Sequence, residues 1–557
     1  MIKPKQLFAA LAAGVILLTA GCQSTQAAAD ATVTADTVTI TAQAETAQAA
    51  AVQLSAEAYS DRDLDASYDA SEATLIDLGT VSGDYTITAA GVYVFSGTLA
   101  GGSIVVNAGE EDKVQIVLSN ASITNSDGPA IYAVAADKVF ITADAGTTNT
   151  LSDGSSYATD SFGNNPDGAI FARCDLTLNG TGTLSVDSNY KFGIVGKDDV
   201  VIANLSLQVN AVSDGIVGKD SVSIGSGTVD IVSGGDGIVS ENSEDATVGS
   251  VLIDGGTITI ETGGSGADSA KGIKAQAALA VNVGDITINS EDDALHSATA
   301  VTITSGTLLL SAGDDGIHSD DLVAISGGDI TVSGSYEGIE GGTITVSGGT
   351  IDVTASDDGF NAAGGADSSA GSAPRGNDAF VADTSKSLVI SGGTVTVNAD
   401  GDGLDSNGTM AISGGTIYVS GPTNSGNGAL DSGSSMTISG GTIIAAGSAG
   451  MAQTFDESST QASISYTFTA PQQAGTTISL QDASGNVIAS YAPEKVYQSV
   501  VISSPELTVG QSYTLYTGST SVDSITLSGV VTTIGSGNVG GMNGGFGGQR
   551  PNGGRRG

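Results

Sequence analysis

Along most of this chain apolar residues alternate with polar ones in short runs, and each run stops at Gly, Asp or Asn. One stretch shows the pattern in full. Gly316-Ile317-His318-Ser319 reads as a short strand, and Asp320-Asp321 turns into Leu322-Val323-Ala324-Ile325. Ser326-Gly327-Gly328 then turns into Asp329-Ile330-Thr331-Val332. Period-two alternation bounded by turn residues predicts three strands and no helix. The unit repeats. Its leading aliphatic residue recurs as Ile194, Ile216, Ile238, Ile273, Leu295, Ile317, Ile339, Phe360, Leu404 and Leu430, with Ile131 and Ile170 as earlier members. The spacings from Ile194 are 22, 22, 35, 22, 22, 22, 21, 44 and 26. The 44 contains an insertion at 361–385, and the 35 contains 244–249 and 263–269.

The second turn recurs as a word, in Gly255-Gly256-Thr257-Ile258, Gly348-Gly349-Thr350-Ile351, Gly414-Gly415-Thr416-Ile417 and others. Paired glycines supply the positive φ that a tight corner needs. Three strands per unit with no helix between them predict an all-β fold, a single-stranded, right-handed parallel β-helix with ~22-residue coils. Roughly fifteen coils at ~4.8 Å make a rod about 70 Å long, with the aliphatic residues laddered inside as core. Propeller blades of ~40 residues and nine-residue calcium solenoids do not fit the period. After Met451 the period stops. Strands at 463–469, 476–481, 487–491, 499–502, 513–516 and 524–529 read as a small antiparallel β domain over 451–534 that caps the solenoid of 61–450.

Composition narrows the function. The chain carries 61 Asp plus Glu against 17 Lys plus Arg, a formal net charge of −44, which argues against binding a phosphate backbone. With 40% hydrophobic residues it can bury a core, so it is not a disordered acidic tail. No Gly-X-Y period supports collagen.

The ends are of other kinds. Lys3 and Lys5, the apolar run from Leu7 to Leu18, and Leu18-Thr19-Ala20-Gly21-Cys22 resemble a bacterial lipobox. This predicts removal of residues 1–21 and lipidation of Cys22, with an ordinary signal peptide as the alternative. The protein is then exported and lipid-anchored, facing the extracellular or periplasmic side, and the membrane is a partner through that anchor alone. Cys174 is the only other cysteine, a small buried hydrophobe with no disulfide partner. Residues 22–60, rich in Ala, Thr and Gln, read as a flexible tether, and 535–557 as a disordered Gly-rich tail.

Stacking by one period lines up acids. Before the Gly-Ile step stand Asp214, Asp236, Asp293, Asp315, Glu337, Asp358 and Asp402, with Phe192 and Lys271 as exceptions. Asp292, Asp314 and Asp357 lie one residue earlier. Two unpaired carboxylates at ~4.8 Å repel by about 3.5 kcal/mol at an effective dielectric of 20. Calcium, with Ca–O distances of ~2.3–2.6 Å, fits between such oxygens. The plainer reading is that Asp-Gly is a good turn, with its carboxylates solvated or bonded to backbone N–H groups. Lys197 and Lys219 lie 22 apart, and Lys274 follows a Gly-Ile step. They either offset the acids or serve as the base of a uronate lyase, which removes a proton α to a carboxylate. His296 and His318, also 22 apart, could bind a metal as a pair, but two histidines alone make a poor transition-metal site, so they read as a surface ladder. Asp61, Asp63, Asp65 and Glu72 have the spacing of an EF-hand loop, but Ala66 stands where that loop needs Gly, so the stretch reads as an acidic lead-in.

Several words are specific. Asp61-Arg62-Asp63-Leu64-Asp65, Asp112-Lys113-Val114-Gln115-Ile116-Val117-Leu118, Ser126-Asp127-Gly128-Pro129-Ala130-Ile131-Tyr132 and Gly421-Pro422-Thr423-Asn424-Ser425-Gly426 resemble a bacterial family. It is the family of carbohydrate-binding parallel β-helix domains related in shape to pectate lyases. The resemblance spans roughly 61–535. It implies calcium between coils and binding, without turnover, of polysaccharides, either acidic ones such as polygalacturonate or cellulose-like glycans. No catalytic constellation carries over. With no Trp and 25 Phe plus Tyr, the sequence offers no obvious aromatic platform for sugars. Calcium would bridge the acidic columns to sugar carboxylates. A calcium-dependent pectate lyase and an adhesin-like structural rod are the alternatives, and the expected oligomeric state is a monomer.

Overall fold

The structure is a computed structural model that describes residues 58–245, 247–264, 269–364 and 382–535. The leader, Cys22, most of the tether, most of the 361–385 insertion and the tail beyond Gly535 lie outside the described residues. The three strands of each coil pair in parallel with their counterparts one coil away. On the first face Ile194, Ile216, Ile238, Ile273, Leu295, Ile317, Ile339, Phe360 and Leu404 are in register, and Leu430 follows through a single bridge. On the second face run Ile224, Ile253, Val281, Ile303, Ile325, Val346 and Ile390. On the third run Ile231, Ile260, Ile288, Leu310, Val332, Val353 and Val397. All three ladders converge in one buried core. Each such side chain contributes about 1.5–3 kcal/mol by leaving water.

The paired glycines do two different jobs. In Gly348-Gly349 the second residue has φ +91°, which a side chain would strain. A Cβ on the first would come to 2.3 Å from the carbonyl oxygen of Ser326, one coil below. Backbone conformation demands one glycine, and close stacking demands the other.

The N-terminal lead-in is a packed plug rather than an ion loop. Asp61–Leu64 forms one helical turn in which Asp63 is almost fully buried. Its Oδ2 accepts from Ser60 N (2.8 Å) and Ser60 Oγ (2.7 Å), while Lys138 Nζ lies 2.7 Å from Oδ1. With Oδ2 spent on Ser60 and Oδ1 on Lys138 and Thr177 of the solenoid, Asp63 cannot serve an EF-hand. Ala58 and Tyr59, at the end of the expected tether, pack against Leu252 and Ala280.

Cys174 sits in the solenoid core. Burial first, and then Asp175 and Asp198, push its thiol up to about 12. A thiol reagent at pH 8 is expected to label the native protein no faster than it unfolds. Rapid labelling at full native signal would contradict this placement.

At the other end Tyr497–Ser503 pairs antiparallel with both Met436–Gly447, on the last coil, and Ser463–Gln472. Ser463–Gln472 pairs in parallel with Val531–Ile534. Ile478–Gln481, Val487–Tyr491, Ser512–Thr517 and Thr520–Thr526 make a separate four-stranded antiparallel sheet. This cap has its own core, including Ile444, Ile464, Leu480, Tyr497, Ile502 and Leu515.

Candidate functional site

The first strand of each coil is so short that it fixes two outer columns, one on each side of its inward aliphatic residue. The first column is the acidic one. Backbone N–H groups carry its register from coil to coil: Gly215 to Asp236, Gly237 to Lys271, Gly272 to Asp293, Ala294 to Asp315, Gly316 to Glu337, Gly338 to Asp358 and Gly359 to Asp402. Asp214 heads this series, accepting from Gly193. The second column lies three residues further along each chain segment. It reads Val105, Tyr132, Phe171, Val195, Val217, Val239, Lys274, His296, His318, Glu340, Asn361 and Asp405. These side chains point away from the core, yet Val195, Val217 and His318 are buried, so the two columns line a furrow along the rod.

Part of the acidic column is spent on backbone. Oδ1 of Asp214 accepts from Asp236 N (3.0 Å), Asp236 from Lys271 N (2.7 Å), Asp293 from Asp315 N (3.1 Å) and Asp358 from Asp402 N (2.6 Å). One oxygen per residue thereby clips coil to coil. The other oxygen faces the second column, and what it meets changes along the furrow.

In the middle it meets cations. Lys271 Nζ lies 3.0 Å from Asp292 and 2.6 Å from Asp293, with all three side chains buried. His296 Nδ1 is 2.8 Å from Asp293 Oδ2, and His318 Nδ1 is 2.7 Å from Asp315 and 3.2 Å from Glu340. The two imidazoles stack at 5.0 Å. Burial would lower the His318 pKa, but its bonds to Asp315 and Glu340 lift it to about 12, so it stands as imidazolium. Burial would raise Asp293, but His296, Lys271 and His318 hold it well below the usual carboxylate range. This segment corrects one sequence expectation: the two histidines are buried and are not a surface ladder. Lys271 brings one positive charge to the Asp292 and Asp293 pair. Asp314 lies with them, one carboxylate oxygen within 4.8 Å of theirs.

Towards the cap it meets other carboxylates, while Asp402 Oδ1 also accepts from Gly428 N (2.5 Å) and Asp431 Oδ1 from Ser432 N (2.9 Å). Carboxylate oxygens of Asp402, Asp405 and Asp431 lie within 4.8 Å of one another, and no ion pair reaches them among the described residues. Burial, then Asp358, lifts the Asp402 carboxyl to about 8, and burial with Asp358 and Asp402 drives Asp405 up as well. Glu337 rises through burial and then Glu340, and Asp214, at the far end, reaches about 6 through burial and Asp236. Asn361 Nδ2 donates to Glu337 (2.6 Å), while its Oδ1 is buried without a hydrogen-bond donor. Asp357 neighbours this segment on the coil of Asp358.

The three lysines singled out by spacing do not converge. Lys274 belongs to the second column and lies 3.6 Å from Asp236, whereas Lys197 and Lys219 lie 3.9 Å from Glu241 and Glu244. Sequence reasoning missed Lys271 as a partner, and it missed Glu340, Asp405 and Asp431. The signal was present. Each lies at the first-column position or three residues beyond one, the same offset that places His296 after Asp293.

The profile of a family described as carbohydrate-binding domain-containing protein matches residues 81–269 and 264–316. A carbohydrate-binding domain-containing protein of Acetivibrio thermocellus (strain ATCC 27405) is 42% identical over 207 residues, covering 37% of this chain and 72% of that one. The chain therefore belongs to the family of carbohydrate-binding domain-containing proteins. A solved polysaccharide lyase-like protein from C. thermocellum, a gadolinium derivative, aligns over 45% of this chain and 96% of its own, at 30% identity with a TM-score of 0.38.

Proposed function

We propose that this protein is a non-catalytic, lipid-anchored, surface-exposed binder of acidic polysaccharide, and that calcium held at the cap end of the furrow links its carboxylates to those of the glycan. The observation that carries the calcium reading is the Asp402, Asp405 and Asp431 trio, three carboxylates within 4.8 Å without a cationic partner. One coil away from Asp405 in the same column, Asn361 Oδ1 is buried without a hydrogen-bond donor, a neutral oxygen of the kind calcium accepts. Hard oxygen donors without nitrogen or sulfur fit this ion better than zinc. The middle of the furrow does not fit it, because ammonium and imidazolium groups already occupy those oxygens. Binding without turnover accords with the three lysines, each of which lies beside a carboxylate rather than in a shared cleft. Cys22 would tether the rod to the membrane.

Isothermal titration with polygalacturonate tests the proposal. Binding is expected in calcium and is expected to weaken at least tenfold in excess chelator. Identical affinity in both buffers would remove calcium from the proposal. Appearance of unsaturated uronide products during the titration would replace binding by a lyase.

A further inference from the structure

The opposite end of the same furrow is built differently. Among its outward residues are Tyr132, Phe171, Val195 and Val217, with Phe192 against them. The loop between the strands Thr148–Ser152 and Gly168–Ala172 brings Phe162 onto Tyr132 of this floor and Tyr157 onto Tyr190. Phe162 meets the Tyr132 ring edge-on at 5.8 Å, and Tyr157 stacks on Tyr190 at 4.4 Å with 28° between the planes. Phe162 is 45% exposed and Tyr190 41%, so both offer a ring to solvent. The corresponding turns before Asp236, Asp293 and Asp315 carry glycine or an acid instead.

The rings that the two exposed ones rest on, Tyr132 against Phe162 and Tyr157 against Tyr190, are held by hydrogen bonds. The Tyr157 hydroxyl donates to Asp153 Oδ2 (2.8 Å), which also accepts from Ser188 Oγ (3.1 Å). The Tyr132 hydroxyl donates to Asp160 Oδ2 (3.0 Å) and accepts from Asn164 Nδ2 (2.8 Å). A platform fixed in advance loses little entropy on binding.

Two ammonium groups also lie over this floor. In a chain of net charge −44, Lys191 Nζ lies 3.8 Å over the Phe192 ring and Lys197 Nζ 5.7 Å over that of Phe171. Their side chains stay 46% and 35% exposed. Among the described residues Lys191 hydrogen-bonds Asp167 at 3.3 Å and Lys197 lies 3.9 Å from Glu241, exposed pairs weak enough to exchange for a ligand anion.

We propose that Phe162, Tyr190, Lys191 and Lys197 form a second, cation-independent subsite for an acidic polysaccharide, where pyranose faces stack on the rings and uronate carboxylates meet the ammonium groups. The proposal rests on the acidic-glycan reading above and adds where such a chain is gripped without calcium. Neutral sugars would gain the stacking and forgo the ion contact. Nine coil steps separate Phe171 from Asp405, about 43 Å at ~4.8 Å per coil, so a short oligomer reaches one end of the furrow and a polymer reaches both.

The test uses the full chain and a short oligogalacturonide, titrated in excess chelator. Wild type is expected to bind it, Phe162→Ala/Tyr190→Ala to lose about tenfold, and Lys191→Ala/Lys197→Ala to lose affinity for the galacturonide but not for its methyl ester. An unchanged unfolding midpoint keeps these losses from being a folding defect. Wild-type affinity in both double variants, or no binding by wild type in chelator, overturns the subsite. In that case polygalacturonate binding that persists in calcium leaves the proposed function standing. Failure of wild type to bind polygalacturonate in either buffer overturns both.

Discussion

Replacing Lys271 by alanine is expected to destabilise the chain by about 3–5 kcal/mol, the usual cost of removing one partner from a buried ion pair. The side chain is 4% exposed and holds two carboxylates that are 5% and 0% exposed. Without it the buried Asp292 and Asp293 carboxylates, with oxygens within 4.8 Å of each other, lose their shared cation, and His296 beside Asp293 and the Ser269 hydroxyl on Asp292 are what remains. Lys271→Ala/Asp292→Asn is expected to recover part of the loss, because one buried charge then disappears with its partner. Because neighbouring coils stabilise each other in a solenoid, hydrogen exchange should open first around Asp236 to Asp315. Denaturant unfolding that leaves Lys271→Ala indistinguishable from wild type would show that the triad is not a stabilising contact.

A second large effect concerns pH and calcium together. In metal-free protein the Asp402 carboxyl is lifted to about 8 by burial, Asp358, Asp431 and Asp357, against ~3.9 in the unfolded chain. A folded value above the unfolded one means full stability below pH ~4, lost progressively as pH climbs towards 8, at up to about 1.4 kcal/mol per unit for this group. Asp405 and Asp431 are pushed the same way, Asp431 by burial alone. The unfolding midpoint in chelator is therefore expected to fall between pH 5 and 8, and calcium to flatten that fall. Asp405→Asn/Asp431→Asn should remove the calcium effect. A flat midpoint across this window, or no calcium shift at pH 8 in wild type, would argue that the trio holds no ion.

The fold was legible because a period of 22 brings Ile194, Ile216 and Ile238 to one ladder, and a solenoid needs little beyond its period. The acidic column was legible for the same reason. What each carboxylate does was not, since that depends on the second column facing it. Lys271 interrupts the acidic pattern and so read as an exception, although in space it is the counter-charge. Asp293 and Asp402 share a position in the repeat, but one faces imidazole and ammonium while the other faces Asp405 and Asp431. The aromatic end escaped notice because Tyr157 and Phe162 come from a loop outside the period, so no spacing ties them to Tyr190 or Phe171.

The strand Tyr497–Ser503 has a meaning beyond closing the core. A stack of identical parallel coils has no intrinsic length, because its last coil offers the same unpaired edge as every one before it. Here that edge runs into a strand of opposite direction, laid along Ile443–Gly447. That stretch of edge is therefore taken up by the chain's own antiparallel strand rather than offered to a further parallel coil, the cover that an exposed strand edge needs.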